Sequence, residues 1–197
     1  MEPKMVKELL LQSLEHEMGG VKVYQTALKC VVNEDLKEEW EKYLEETQNH
    51  VHILHDVCLQ MQIDPEEQSP GRKITHDKGA ALVASMEAAL RAGDKEAAQC
   101  VACEAVTIAE LVDHSNWELI GEVSKKMSGA DGKALKEAYK EVEDQEDEHY
   151  YHSKGWMREL SLEGLGLKAV LPPPEERKHV KTAIGAARAE HERGKMR

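Results

Sequence analysis

Four long helical stretches can be traced in this chain from apolar residues recurring every three to four positions, and each carries a glutamate in or beside its apolar stripe: Glu17, Glu46, Glu104 and Glu146. Two of them have a histidine about one turn later, His50 after Glu46 and His149 after Glu146. An ionised carboxylate is costly to bury unless a partner compensates it. Several converging on one interior therefore suggest a metal cluster rather than a purely hydrophobic core.

The stripes define the elements. Pro3 suits a first helical turn, and Val6, Leu10, Leu14, Glu17, Val21, Tyr24, Leu28 and Val31 trace one face of a helix ending near Asn33. Leu36, Trp40, Tyr43, His50, Leu54, Val57 and Met61 trace a second, stopped by Asp64-Pro65. The few residues between them make the two antiparallel neighbours. Residues 63–78, with Pro65, Ser69-Pro70-Gly71 and nearby Gly79, have the composition of a connection. A short helix is predicted from Ala80 to Arg91, closed by Gly93. Asp94 is placed to cap a third long helix whose stripe is Ala97, Val101, Glu104, Ile108, Leu111, Ser115, Leu119 and Val123. A fourth starts near Asp131 and aligns Leu135, Ala138, Val142, Glu146, His149, Ser153, Trp156 and Leu160. The fold class is all-α, a four-helix bundle over residues 1–162 whose long crossover carries a short extra helix. Residues 163–197, with the run Pro172-Pro173-Pro174, form a basic tail with a weak helical pattern from Glu175 to Arg193.

Composition narrows the function. The net charge is −12, and from Pro172 onward there are seven Lys/Arg against four Asp/Glu, a local +3 that leaves −15 on the rest. Such an acidic body argues against general nucleic-acid binding, which depends on neutralising phosphates, and is compatible with cation uptake. No apolar leader or membrane-length apolar run is visible, so a soluble, cytoplasmic protein is expected. Cys30, Cys58, Cys100 and Cys103 lack the spacing of a disulfide framework or a four-cysteine zinc site and read as reduced core thiols.

Glu146-Asp147-Glu148-His149 is the best single element, since this spacing puts both end side chains on one helix face, about 4.5 Å apart along the axis. Six of the nine residues from Glu141 to His149 are acidic, so a solvated acidic face is the competing reading. Glu17 is flanked by leucine, valine and tyrosine on its own stripe. Tyr24, two turns on, is either a hydrogen-bond partner of a ligand carboxylate or an ordinary core aromatic. Gly19-Gly20 reads as permitting close helix approach. Glu104 is surrounded by Ala102, Cys103 and Ala105, which leave room for a cluster; the alternative is a glutamate paired with a lysine. On the second helix Glu46 and His50 are four positions apart, and the position three before His50 is Thr47, a poor bridging ligand. His114 lies roughly 15 Å along the helix from Glu104 and belongs to a structural hydrogen bond or a separate polar site. Gly-rich phosphate loops and nucleophile elbows are not found in the sequence.

At Glu17 with Tyr24, Glu104, and Glu146-x-x-His149 the chain resembles the ferritin-like superfamily of ferritins, bacterioferritins and rubrerythrins. Around Leu44–Val51 it looks more like bacterial stress-associated ferritin-like proteins. The resemblance covers roughly residues 5–160 and implies two iron or manganese ions. It makes Glu17 and Glu104 terminal ligands, Glu146 bridging, His50 and His149 the nitrogen ligands, and Glu46 a bridge from a shifted position. It also implies redox chemistry on peroxide or oxygen in stress defence, in a homodimer. The rival implication, supported by Thr47, is a non-catalytic stress or interaction protein with weak or structural metal binding.

Overall fold

The computed structural model describes residues 2–177 and 191. The predicted tail helix from Glu175 to Arg193 falls almost wholly outside them; residues 174–177 form a helical turn. The helices are α1 (Pro3–Cys30), α2 (Glu34–Gln60), α3 (Pro70–Ala92), α4 (Lys95–Lys126), α5 (Gly129–Gly164) and α6 (Pro174–Arg177), and there is no strand among the described residues. None of these helices is long and apolar enough to cross a membrane.

Local chemistry sets the helix ends. Asn33, Ser69 and Asp94 each occupy an N-cap, and their side chains accept from the backbone N–H of Leu36, Arg72 and Ala97, all at 3.0 Å. The short α1–α2 link is fixed from outside: Gln99 Oε1 on α4 accepts from the N–H of both Val32 and Asn33, at 2.7 Å each. Gly93 takes the left-handed conformation that ends α3, at φ 88°.

The extra helix is twice the predicted length because Ser69-Pro70-Gly71, read as a turn, is a helix start. Ser69 caps it and Pro70 occupies the first turn, where its missing N–H costs nothing. Arg72 then secures the start. Arg72 is 3 % exposed, with Nε donating to Glu15 Oε2 at 2.8 Å and Nη1 donating to the carbonyls of both Pro65 and Glu67. Farther along, Gly79 faces Gly19 of α1, and a Cβ built on Gly79 would stand 3.7 Å from the Gly19 backbone. The two glycines let α1 and α3 approach closely.

Side-chain contacts show that each neighbouring pair of long helices runs antiparallel. Tyr24 and Glu17 of α1 meet Glu110 and Trp117 of α4 in that order, and Tyr43 and His50 of α2 meet His152 and Gln145 of α5. The core they enclose is divided. One apolar cluster contains Val23, Ala27, Leu36, Trp40, Ala102 and Trp156. The other contains Leu10, Leu14, Leu54, Trp117, Ile120 and Leu135. Between them lies a layer of buried carboxylates and imidazoles. The cysteines are all free, three of them buried, as expected of core thiols.

α4 departs most from the sequence reading. Its stripe was placed on the large apolar residues, yet Ile108 is 44 %, Leu111 48 % and Leu119 53 % exposed. The buried face instead includes Ala98, Ala102, Cys103, Ala105, Val106, Ala109, Glu110, Asp113 and Trp117. Close packing beside a polar layer demands small side chains, so size misled the phase of the stripe.

Candidate metal centre

Four helices contribute to the polar layer. Glu17 comes from α1, Thr47 and His50 from α2, Glu110 and Asp113 from α4, and Glu146 and His149 from α5; all seven are buried. Two triads stand out, Glu17/His50/Glu146 and Glu110/Glu146/His149, in each of which one donor atom per residue lies within 4.8 Å of the others. Glu146 belongs to both.

The hydrogen bonds reveal a twofold plan. Tyr24, seven residues after Glu17, donates its hydroxyl to Glu110 Oε1 at 2.8 Å. Trp117, seven residues after Glu110, donates its indole N–H to Glu17 Oε1 at 2.7 Å. The histidines repeat the exchange. His50 Nε2 bonds Gln145 Oε1 at 2.7 Å, and His149 Nε2 bonds Glu46 Oε2 at 2.9 Å. Gln145 directly precedes Glu146, and Glu46 directly precedes Thr47. Thr47 thus stands on α2 where Glu146 stands on α5, and Gly20 stands on α1 where Asp113 stands on α4. Gly20 leaves the space for Thr47: a Cβ there would come within 3.3 Å of Thr47 Cγ2.

This plan locates each predicted ligand. Glu17, His50, Glu146 and His149 converge on the layer. Glu46 does not enter it: its side chain is 20 % exposed, lies near Lys42 and supports His149 from behind. Glu104 is exposed on the outer side of α4, and Glu110 occupies the place expected for it. Glu110 and Asp113 were missed with the phase of α4. Their sequence signal was the repeat of Glu17-x6-Tyr24 as Glu110-x6-Trp117.

The inward-facing atoms lack protein partners. Glu17 Oε2, Glu110 Oε2, both oxygens of Glu146, and Nδ1 of His50 and of His149 are buried without a hydrogen bond. His50 Nδ1 lies 3.1 Å from Glu146 Oε1 and 3.4 Å from Glu17 Oε1, and His149 Nδ1 lies 3.6 and 3.7 Å from Glu110 and Glu146. Buried polar atoms are rarely left unpaired, and here six of them point at a common space. Oxygen donors with two imidazole nitrogens suit hard or borderline divalent metals. With their Nε2 atoms engaged elsewhere, both histidines are held with Nδ1 toward that space.

Proton affinities register the crowding. Burial, together with the charges of Glu17 and Glu110, pushes the Glu146 carboxyl up to about 7. Burial and the charges of Glu17, Glu146 and Glu110 push Asp113 well above the carboxylate range. Burial opposes charging of His149, but Glu110 and Glu46 outweigh it and raise the imidazole to about 9. His50 is likewise raised, with Glu17 and Glu146 overcoming burial. Burial would lift Glu110 too; the neighbouring His149 imidazole and the hydrogen bond from Tyr24 instead hold it below its ordinary value. Protons here occupy the role a cation would take, neutralising carboxylates that face one another.

Compared with known proteins, the chain gives no significant match to any family model, curated protein or solved structure. The class defined by its own geometry is an all-helical bundle with buried carboxylate and histidine groups able to hold a metal ion.

Proposed function

We propose that this chain is a ferritin-like di-metal carboxylate protein that binds two iron or manganese ions and acts on peroxide or oxygen. The observation that carries the reading is the set of six buried, unpartnered donor atoms arranged as two triads sharing Glu146. In this reading α3 is the long crossover of the bundle. Glu17 with His50 holds one ion, Glu110 with His149 the other, and Glu146 lies between them. Four carboxylates, those of Glu17, Glu110, Asp113 and Glu146, balance the four positive charges of two divalent ions, so Asp113 makes up for the carboxylate that Thr47 does not provide. When bound, such a pair supplies electrons to an oxidant two at a time. The chain's own residues fix the donors: Tyr24 and Trp117 orient the terminal glutamates, and Gln145 and Glu46 orient the imidazoles. The apolar clusters close the layer off at its two ends along the bundle.

A second reading has one observation in its favour. Thr47 occupies the position of a second bridging carboxylate, which fits a stress or interaction protein whose metal is weak or structural. Metal analysis of protein purified without added metal, followed by anaerobic Fe(II) titration and exposure to peroxide, separates the two. The redox reading expects about two ions per chain and their oxidation by peroxide. Glu110→Ala should abolish the stoichiometry and Glu104→Ala leave it intact. Absence of stoichiometric binding would refute the centre, and binding without oxidation would favour the second reading.

A further inference from the structure

His114, which the sequence assigns to a structural hydrogen bond or a separate polar site, lines a cleft between α4 and α5 of about 230 Å³. The cleft runs from the surface to the centre. Glu118 and Glu143 are exposed, His114 and Asp147 are intermediate, and Glu146 and Trp117 are buried. His114 Nε2 bonds Asp147 Oδ1 at 2.7 Å, with His114 Nδ1 3.9 Å from Glu118; Tyr139 donates to Glu143 at 2.8 Å. Glu146 at the inner end is 1 % exposed and neither of its carboxylate oxygens has a partner. An acidic face alone would mean little, but this one leads to a buried carboxylate neither of whose oxygens is hydrogen-bonded.

The twofold plan supplies an internal comparison. The positions on α1 and α2 that correspond to His114, Glu118, Glu143 and Asp147 are Val21, Gln25, Leu44 and Gln48. The two faces are alike in backbone and opposite in chemistry: one carries three carboxylates and an imidazole, the other no charge at these positions. Packing requirements common to both faces do not account for that difference.

We propose that this cleft is a transit site through which a divalent cation reaches the centre, held at the rim by Glu118 and Glu143, then by Asp147 and His114, and passed to Glu146. The proposal rests on the reading of the centre as a metal site. A low-dielectric cleft lined by one sign of charge concentrates counter-ions and accelerates their capture, by about tenfold or more. The cation exchanges its waters stepwise for carboxylate oxygens and never faces an unfavourable dry passage.

Cobalt(II) is a direct probe, because its visible absorption changes when nitrogen and carboxylate ligands replace water. Mixed rapidly with metal-free protein at low salt, the Glu143→Gln and Asp147→Asn variants should load about tenfold more slowly than the unaltered chain, to the same final stoichiometry. Added salt should narrow the gap. Loading within twofold of the unaltered rate in Glu143→Gln, whose side chain is exposed, would overturn the proposal. Equal slowing by Gln25→Ala with Gln48→Ala on the opposite face would overturn it as well. Failure of the unaltered chain to take up cobalt is a different result, and it would refute the centre itself.

Discussion

Glu146→Gln should make the metal-free protein more stable while destroying its metal centre. In the fold the Glu146 carboxyl is displaced from 4.5 to about 7, chiefly by burial and then by the charges of Glu17 and Glu110. A tenfold change in proton affinity is worth about 1.4 kcal/mol, so ionising this group in place costs about 3 kcal/mol relative to the unfolded chain. Because the folded carboxyl holds its proton more tightly, its contribution is full below about pH 4.5 and lost as pH rises through about 7. Glutamine has the same shape and no charge to bury. Allowing for the weakened contact with His50, the variant should gain roughly 2–3 kcal/mol at pH 8, or about 5–10 °C in Tm for a chain of this size, and almost nothing at pH 5. Thermal unfolding followed by circular dichroism, in chelator at both pH values, measures this directly. The same variant should bind cobalt at less than half the parent stoichiometry, because both triads use Glu146. A loss of stability at pH 8, or a gain equal at both pH values, would refute the argument that this carboxylate is held in place against the preference of the fold.

Two further outcomes are expected. The Tm of metal-free protein should fall between about pH 6.5 and 9, since His149 is raised from 6.5 to about 9 and its stabilising charge is lost as pH climbs through that window; metal-loaded protein should show no such decline, because binding expels the protons. Glu46→Gln should weaken metal affinity about tenfold without changing stoichiometry in an equilibrium titration, because Glu46 supports His149 Nε2 from behind; an unchanged affinity would remove Glu46 from the centre altogether.

Much of the architecture was legible because long amphipathic helices announce themselves by period. Glu17 was flanked by aliphatic neighbours that left it few routes to solvent, and Glu146 and His149 shared a face by spacing alone. The failures have physical causes. Ile108 and Leu111 read as core and carry Glu104 with them, whereas α4 buries alanines against the polar layer and exposes Ile108, Leu111 and Leu119. The start of α3 was hidden because a serine cap and a first-turn proline have the same composition as a turn. What distinguishes them is Arg72, whose partners Glu15, Pro65 and Glu67 include a residue on a distant helix. For Glu46, helical spacing does not separate a residue inside the layer from one bracing it; its contact with His149 Nε2 on α5 does.

The crossed aromatic bonds have a consequence for assembly. Glu17 is held by Trp117 and Glu110 by Tyr24, so each helix pair completes the half-site of the other. Neither α1–α2 nor α4–α5 alone can hold its glutamate in the binding rotamer. In the proposed di-metal reading the ordered donor set exists only once α1–α2 and α4–α5 have docked, so metal capture would report that docking.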